Sequence, residues 1–217
     1  MDKRFIFGSV LGLLLALRVK RARRPRGRTL IIGDSQSQTH NARLEPTPGQ
    51  RTLGPEIARA LGHQTIAVGV AGRGVRSWLA AKPGKISLAE LYAKHTPETL
   101  IVELGGNDAM FLTVRGGSMS ESFYKRQLRE FVARARDAGV KRIVWLGPSF
   151  VDDPEYNVLR KRIALWQSQV LPPLGVPWLD QQDATKALTR PDKLHYTPKS
   201  YAAWAASVTP KIVKATA

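Results

Sequence analysis

The chain has 217 residues, enough for one well-buried domain and too few for two ordinary ones, and its 43% hydrophobic and 24% charged fractions fit a globular protein rather than a disordered one. Cysteine is absent, which excludes a disulfide scaffold, a thiolate-ligated metal and thiol catalysis, so any nucleophile must be an oxygen or a nitrogen. The net charge of +17 is uneven, because Met1 to Arg28 carries nine Lys or Arg against one Asp.

In chain order, the first segment is "MDKRFIFGSVLGLLLALRVKRARRPRGR" (1–28). Its apolar run, Phe5 to Leu17, would rise about 20 Å as a helix, short of the roughly 30 Å hydrocarbon core of a bilayer. A secretory signal would continue in small neutral residues, whereas dense positive charge follows here and resists translocation. The segment therefore reads first as a short or interfacial membrane anchor through residues 3–28 and second as an export signal. Its polybasic part, Arg18 to Arg28, shows no interleaved aromatics and no nucleic-acid-binding motif, so nucleic acid is not the expected partner.

The second segment, 29–217, alternates short apolar runs with longer helical patterns. Strands are expected at 29–33, 64–70, 99–105, 141–147 and 176–180, each apolar on both faces as buried parallel strands are. Helices are expected at Gly54–Leu61, Ser87–His95, Ser120–Ala138, Asp153–Val170 and Pro198–Val213. In the third helix Tyr124, Leu128, Phe131, Val132 and Ala135 share one face, and Gly139 stops it. The last opens on Thr197-Pro198, a capping residue followed by proline at the first helical position. This alternation predicts an α/β domain of three α/β/α layers, a flavodoxin-like five-stranded parallel sheet in the order 2-1-3-4-5.

Ligand sites of such sheets gather at the carboxyl ends of the strands. The loops there are "GDSQSQ", "GVAGRGVRS", "GGNDAM", "GPSFVDD" and "DQQDATKALTRPDKLHYTP". Ser35 ends the first strand's turn, either as a helix cap or as a nucleophile, and a nucleophile needs a base that is itself oriented by a third group. Of the four histidines, His63 and His95 sit at helix ends and His40 in a polar loop, while His195 lies in a post-strand loop three residues after Asp192. Acyl transfer also needs donors aimed at a developing oxyanion, and Gly72 by its backbone N–H and Asn107 by its amide are of the right type. Taken singly, these residues are equally ordinary turn and cap residues.

Taken in order, "GDSQS", the loop glycine, "GGND" and "DKLH" resemble the four sequence blocks of the SGNH hydrolases, also called GDSL-like esterases and lipases, over Leu30 to about Trp204. The resemblance implies a serine esterase working through an acyl-enzyme without metal or cofactor. It assigns Ser35, Asp192 and His195 to catalysis, and Ser35, Gly72 and Asn107 to the oxyanion hole. Asp34 supports the turn, and Gly74 stands as the alternative to Gly72. Gln36 replaces the leucine of the stricter pattern, and the second block lacks the asparagine often found ahead of its glycine, here Ala67 or Val68.

"GDSQSQTHNARLEPTPGQRT" and "GGNDAMFLTVRGGSMS" hold few large apolar residues beyond the cluster Met110, Phe111 and Leu112, and Arg43, Arg73, Arg76 and Arg115 form an expected basic rim. That pattern suits short, acetyl-like esters on a carbohydrate or cell-wall polymer. The alternatives are a catalytically silent SGNH-like domain binding an anionic polymer or membrane surface, an acyl-lipid hydrolase, and a phosphate binder using "GDSQSQT" as an anion loop.

Overall fold

The computed structural model describes residues 27–62, 64–82, 84–112 and 119–217. The anchor or signal reading of the N-terminal segment thus falls almost wholly outside the described residues, as do His63 and Arg115.

Five parallel strands form one sheet in the order β2-β1-β3-β4-β5: β1 (Thr29–Gly33), β2 (Thr65–Gly69), β3 (Thr99–Glu103), β4 (Arg142–Leu146) and β5 (Trp178–Leu179). β1 runs in register with both neighbours, Thr29 opposite Thr65 and Thr99. The two central strands β1 and β3 are buried at every position, so their alternating side chains feed two cores. Leu30, Ile32, Leu100 and Val102 point into one, with Trp78, Tyr124, Phe131 and Ile163 of the helices on that face. Ile31 and Ile101 point into the other, with Leu53, Ile57, Trp204 and Ile212. β2 is an edge strand whose Ile66 is exposed, and β5 shrinks to two residues behind Pro177, which has no N–H to give the ladder.

The longer helices follow the expected positions: α1 (Leu53–Leu61), α3 (Leu88–His95), α5 (Glu121–Asp137), α6 (Pro154–Val170) and α8 (Pro198–Ala215). Local capping sets their starts. Ser87, Ser120, Asp153 and Thr197 each accept a hydrogen bond from a backbone N–H of the first turn. Three short helices were not expected as elements: α2 (Val75–Leu79), α4 (Gly106–Met110) and α7 (Gln182–Lys186). Each lies just after a strand's carboxyl end and shapes the loops that form the site.

Candidate active site

β1 ends on Gly33, and the chain turns at once into a single 3-10 turn, Ser35–Ser37, whose cap is Asp34. The Asp34 carboxylate accepts from the Gln36 backbone N–H at 2.9 Å. This tight turn leaves Ser35 half-buried at the sheet's edge. The turn also packs flush against the end of β2, where a Cβ on Gly69 would fall inside the carbonyl of Ser37.

The loop before α8 brings the histidine. Arg190 is buried, donates to the Thr185 carbonyl at 2.7 Å and to Asp152 at 2.6 Å, and packs its guanidinium over Phe150 and Tyr196. From that anchor the chain turns through Lys193 at φ 65, and Asp192 faces back toward His195. One Asp192 oxygen accepts from the backbone N–H groups of Leu194 and His195 at 3.0 and 2.6 Å; the other lies 2.7 Å from His195 Nδ1. Partial burial works against ionisation of Asp192, but the hydrogen bonds from the His195 ring and the two amides hold its carboxyl down at about 2. His195 Nε2 stands 2.9 Å from Ser35 Oγ. Ser35, His195 and Asp192, 160 residues apart in sequence at their extremes, thus form one hydrogen-bonded line.

The oxyanion candidates behave differently from one another. Gly72 has φ +78 in open space, and its N–H, like that of Ser35, meets no acceptor among the described residues. Gly74 is not equivalent: its N–H donates to Ser77 Oγ at 2.8 Å, and a Cβ there would lie 2.6 Å from the Asp108 carboxylate. Its smallness lets Asp108 reach the Val75 N–H. Asn107, at the start of α4, directs Nδ2 to Asp34 Oδ2 at 3.2 Å and to the Arg73 carbonyl at 3.1 Å. Asp34 therefore touches both the nucleophile turn and the amide of Asn107.

Beneath these groups lie acids that sequence reasoning missed. Glu103, the last residue of β3, accepts from Ser37 Oγ at 3.1 Å, and Arg160 from α6 lies nearby with Nη1 on the Ser149 carbonyl at 2.8 Å. Asp34, Glu103, Asp108 and Arg160 are all at most 2% exposed. Burial pushes the Glu103 carboxyl well above the usual range and the Asp34 charge pushes it further; burial also raises Asp34. The available signal was a charged residue inside the apolar run "TLIVELG".

The expected basic rim is smaller than four arginines. Arg43 and Arg76 are exposed, but Arg73 folds away, donating to the carbonyls of Ile86 and Lys85 and lying 4.5 Å over the Trp78 ring. These contacts, two carbonyls of the segment before α3 and the Trp78 face, latch the Gly72 loop to that segment. His40 contacts its neighbour Thr39, not the Ser35 line. Among the described residues no group of three or more His, Asp or Glu side chains is arranged to hold a metal ion.

Residues 31–203 match the GDSL-like lipase/acylhydrolase family. Among solved structures, Axe2, an acetylxylan esterase from Geobacillus stearothermophilus, is similar with a TM-score of 0.63 at 20% identity, over 85% of this chain and 94% of that one. A carbohydrate acetylesterase family member from Sinorhizobium meliloti is similar with a TM-score of 0.62 at 15% identity, over 87% and 99%. No curated protein sequence matches significantly. At these identities the structural likeness carries the fold alone, while the family match spans most of the chain: the protein belongs to the GDSL-like lipase/acylhydrolase family and, with it, to the carboxylic ester hydrolases.

Proposed function

We propose that the protein hydrolyses short-acyl, acetyl-like esters carried on a carbohydrate polymer, through an acyl-enzyme on Ser35. The observation that carries the mechanism is the hydrogen-bonded line from Asp192 through His195 to Ser35. In this reading Ser35 Oγ attacks the ester carbonyl as His195 Nε2 takes its proton, and Asp192 holds Nδ1–H and stabilises the imidazolium that forms. The same proton passes to the departing alcohol. Water, deprotonated by His195, then releases the acyl group. The free N–H groups of Ser35 and Gly72 receive the oxyanion, and Asn107 joins them by exchanging the Arg73 carbonyl for the substrate oxygen. Structures of catalytic mutants of the Geobacillus esterase carry alanine in place of a serine, an aspartate and a histidine, the last two three positions apart as Asp192 and His195 are.

The acetyl preference rests on the sparse apolar lining, with Met110 exposed and Phe111 and Leu112 half-buried beside α4, and on the acetylated carbohydrates named for the structural neighbours. The N-terminal segment serves in this reading as a membrane tether. A serine-reactive phosphonate followed by peptide mapping tests the chemistry: Ser35 alone is labelled, and Ser35→Ala and His195→Ala abolish turnover with the fold intact. On p-nitrophenyl esters kcat/KM is highest for acetate and falls beyond butyrate. Labelling elsewhere on folded protein overturns the mechanism, and a rate that climbs toward octanoate overturns the substrate class in favour of an acyl lipid.

A further inference from the structure

Gln36 stands where the stricter family pattern has leucine, and it is 1% exposed. A buried primary amide needs partners, and this one has them at both ends. Nε2 donates to the Leu194 carbonyl at 3.1 Å, and Oε1 accepts from the Tyr201 hydroxyl at 2.7 Å. The Leu194 carbonyl can only accept, which fixes the amide's orientation and obliges Tyr201 to be the donor. Tyr201 is itself held on α8, its ring 5.5 Å from Tyr196 and 6.4 Å from Trp204.

The positions in sequence give this bridge its meaning. Gln36 directly follows Ser35, and Leu194 directly precedes His195. Apart from the contact of His195 Nε2 with Ser35 Oγ itself, other bonds of the histidine loop run elsewhere: the Lys193 carbonyl accepts from the Asp152 N–H, the Tyr196 hydroxyl donates to the Phe150 carbonyl, and Asp192 accepts from the loop's own amides. A leucine at position 36 would fill the space and make none of these hydrogen bonds.

We propose that Gln36 is a positioning residue that sets the distance between Ser35 Oγ and His195 Nε2 by tying their two loops together, with Tyr201 locking the tie. This rests on the serine-hydrolase reading above. The Asp192–His195 pair lies within a single loop, so losing the tie leaves the base intact and displaces it from the nucleophile.

The test uses the full chain, Gln36→Leu and Tyr201→Phe, with p-nitrophenyl acetate kinetics, phosphonate labelling rate, thermal melting and the low-field proton NMR signal of the His195–Asp192 bond. In Gln36→Leu, kcat and labelling rate fall about 10- to 100-fold, as expected for a misplacement near 1 Å, with KM within about twofold. Tyr201→Phe falls in the same direction by less, because the bond to Leu194 survives. The low-field signal persists in both. Should Gln36→Leu not fold, Tyr201→Phe decides alone. Full kcat in the folded variants overturns the proposal, and so does a fall accompanied by loss of the low-field signal, which would mark collapse of the loop instead of displacement. A wild type that neither labels nor turns over removes the hydrolase reading, and this inference with it.

Discussion

Asp108 takes no part in the line of Ser35, His195 and Asp192, yet it is fully buried and both its oxygens face the Val75 N–H, at 3.0 and 3.1 Å. Burial pushes its carboxyl up to about 7; the Val75 N–H works against this and the Asp34 charge adds to it. An unfolded Asp titrates near 3.8, so between roughly pH 4 and 7 the folded chain holds a proton there that the unfolded chain has lost. Its contribution to stability is complete below the unfolded value and is lost as pH rises through about 7. Asp108→Asn keeps an acceptor for Val75 and removes the titration. Melting of the two proteins from pH 4 to 8 is expected to show the variant gaining on wild type up to about pH 7, by an order of a few kcal/mol, and the gap then staying level. Parallel curves would show that Asp108 is not the titrating group. At this scale the strand alternation placed Ser35, Asn107, Asp192 and His195 in strand-end loops, and only the ordered resemblance to the SGNH blocks grouped them; the structure brings Ser35, His195 and Asp192 into one line. Asp108 and Glu103 were not, because a helix start and a strand end explain their letters without revealing that the fold buries both beside Asp34.

Between elements, the tightest fit is the seating of the Ser35–Ser37 turn on the end of β2. Thr39 and His40 both donate their backbone N–H to the Gly69 carbonyl, at 2.9 and 3.0 Å, which draws the turn against the strand. A methyl group at Gly69 has no space there, and the obstructing atom is backbone, which cannot rotate away. Gly69→Ala is therefore expected to cost about 2–3 kcal/mol of stability, the range of overpacked sites, and to lower kcat by moving Ser35 from His195. Urea unfolding with kinetics on the folded fraction measures both; unchanged stability and turnover would mean that the turn yields. The strands were legible from apolar runs and the long helices from caps and 3.6-residue spacing. α2, α4 and α7 were not, since five residues span less than two turns and display no periodicity. β5 came out shorter than its apolar run: the Pro177 carbonyl accepts from the Trp145 N–H at 2.9 Å, but proline has no N–H to return.

At the scale of the molecule, β1 separates the first described residues, Gly27 and Arg28, from the site. The chain enters at Gly27 and Arg28, where Arg28 Nε donates to the Thr96 carbonyl at 3.1 Å and its own carbonyl accepts from Glu98 and Thr99. Ser35 lies at the other end of the same strand, so five residues of extended chain, about 17 Å, separate the point of entry from the nucleophile, on opposite edges of the sheet. The tether proposed for the N-terminal segment would attach at Gly27, at the strand end away from Ser35 and His195. Vesicles rich in anionic phospholipid are expected to sediment the full chain, less so at high salt because the basic stretch contributes electrostatically, and to leave a chain beginning at Gly27 in the supernatant. Cutting at Gly27 spares the Arg28 contacts, so both proteins should hydrolyse p-nitrophenyl acetate with the same kcat/KM, and bound vesicles should not slow the full chain. A long-chain ester dissolved in the same bilayer should gain nothing from the tether. If tethering instead accelerates its hydrolysis, the catalytic edge reaches the bilayer despite lying opposite the point of attachment, and the substrate is an acyl lipid.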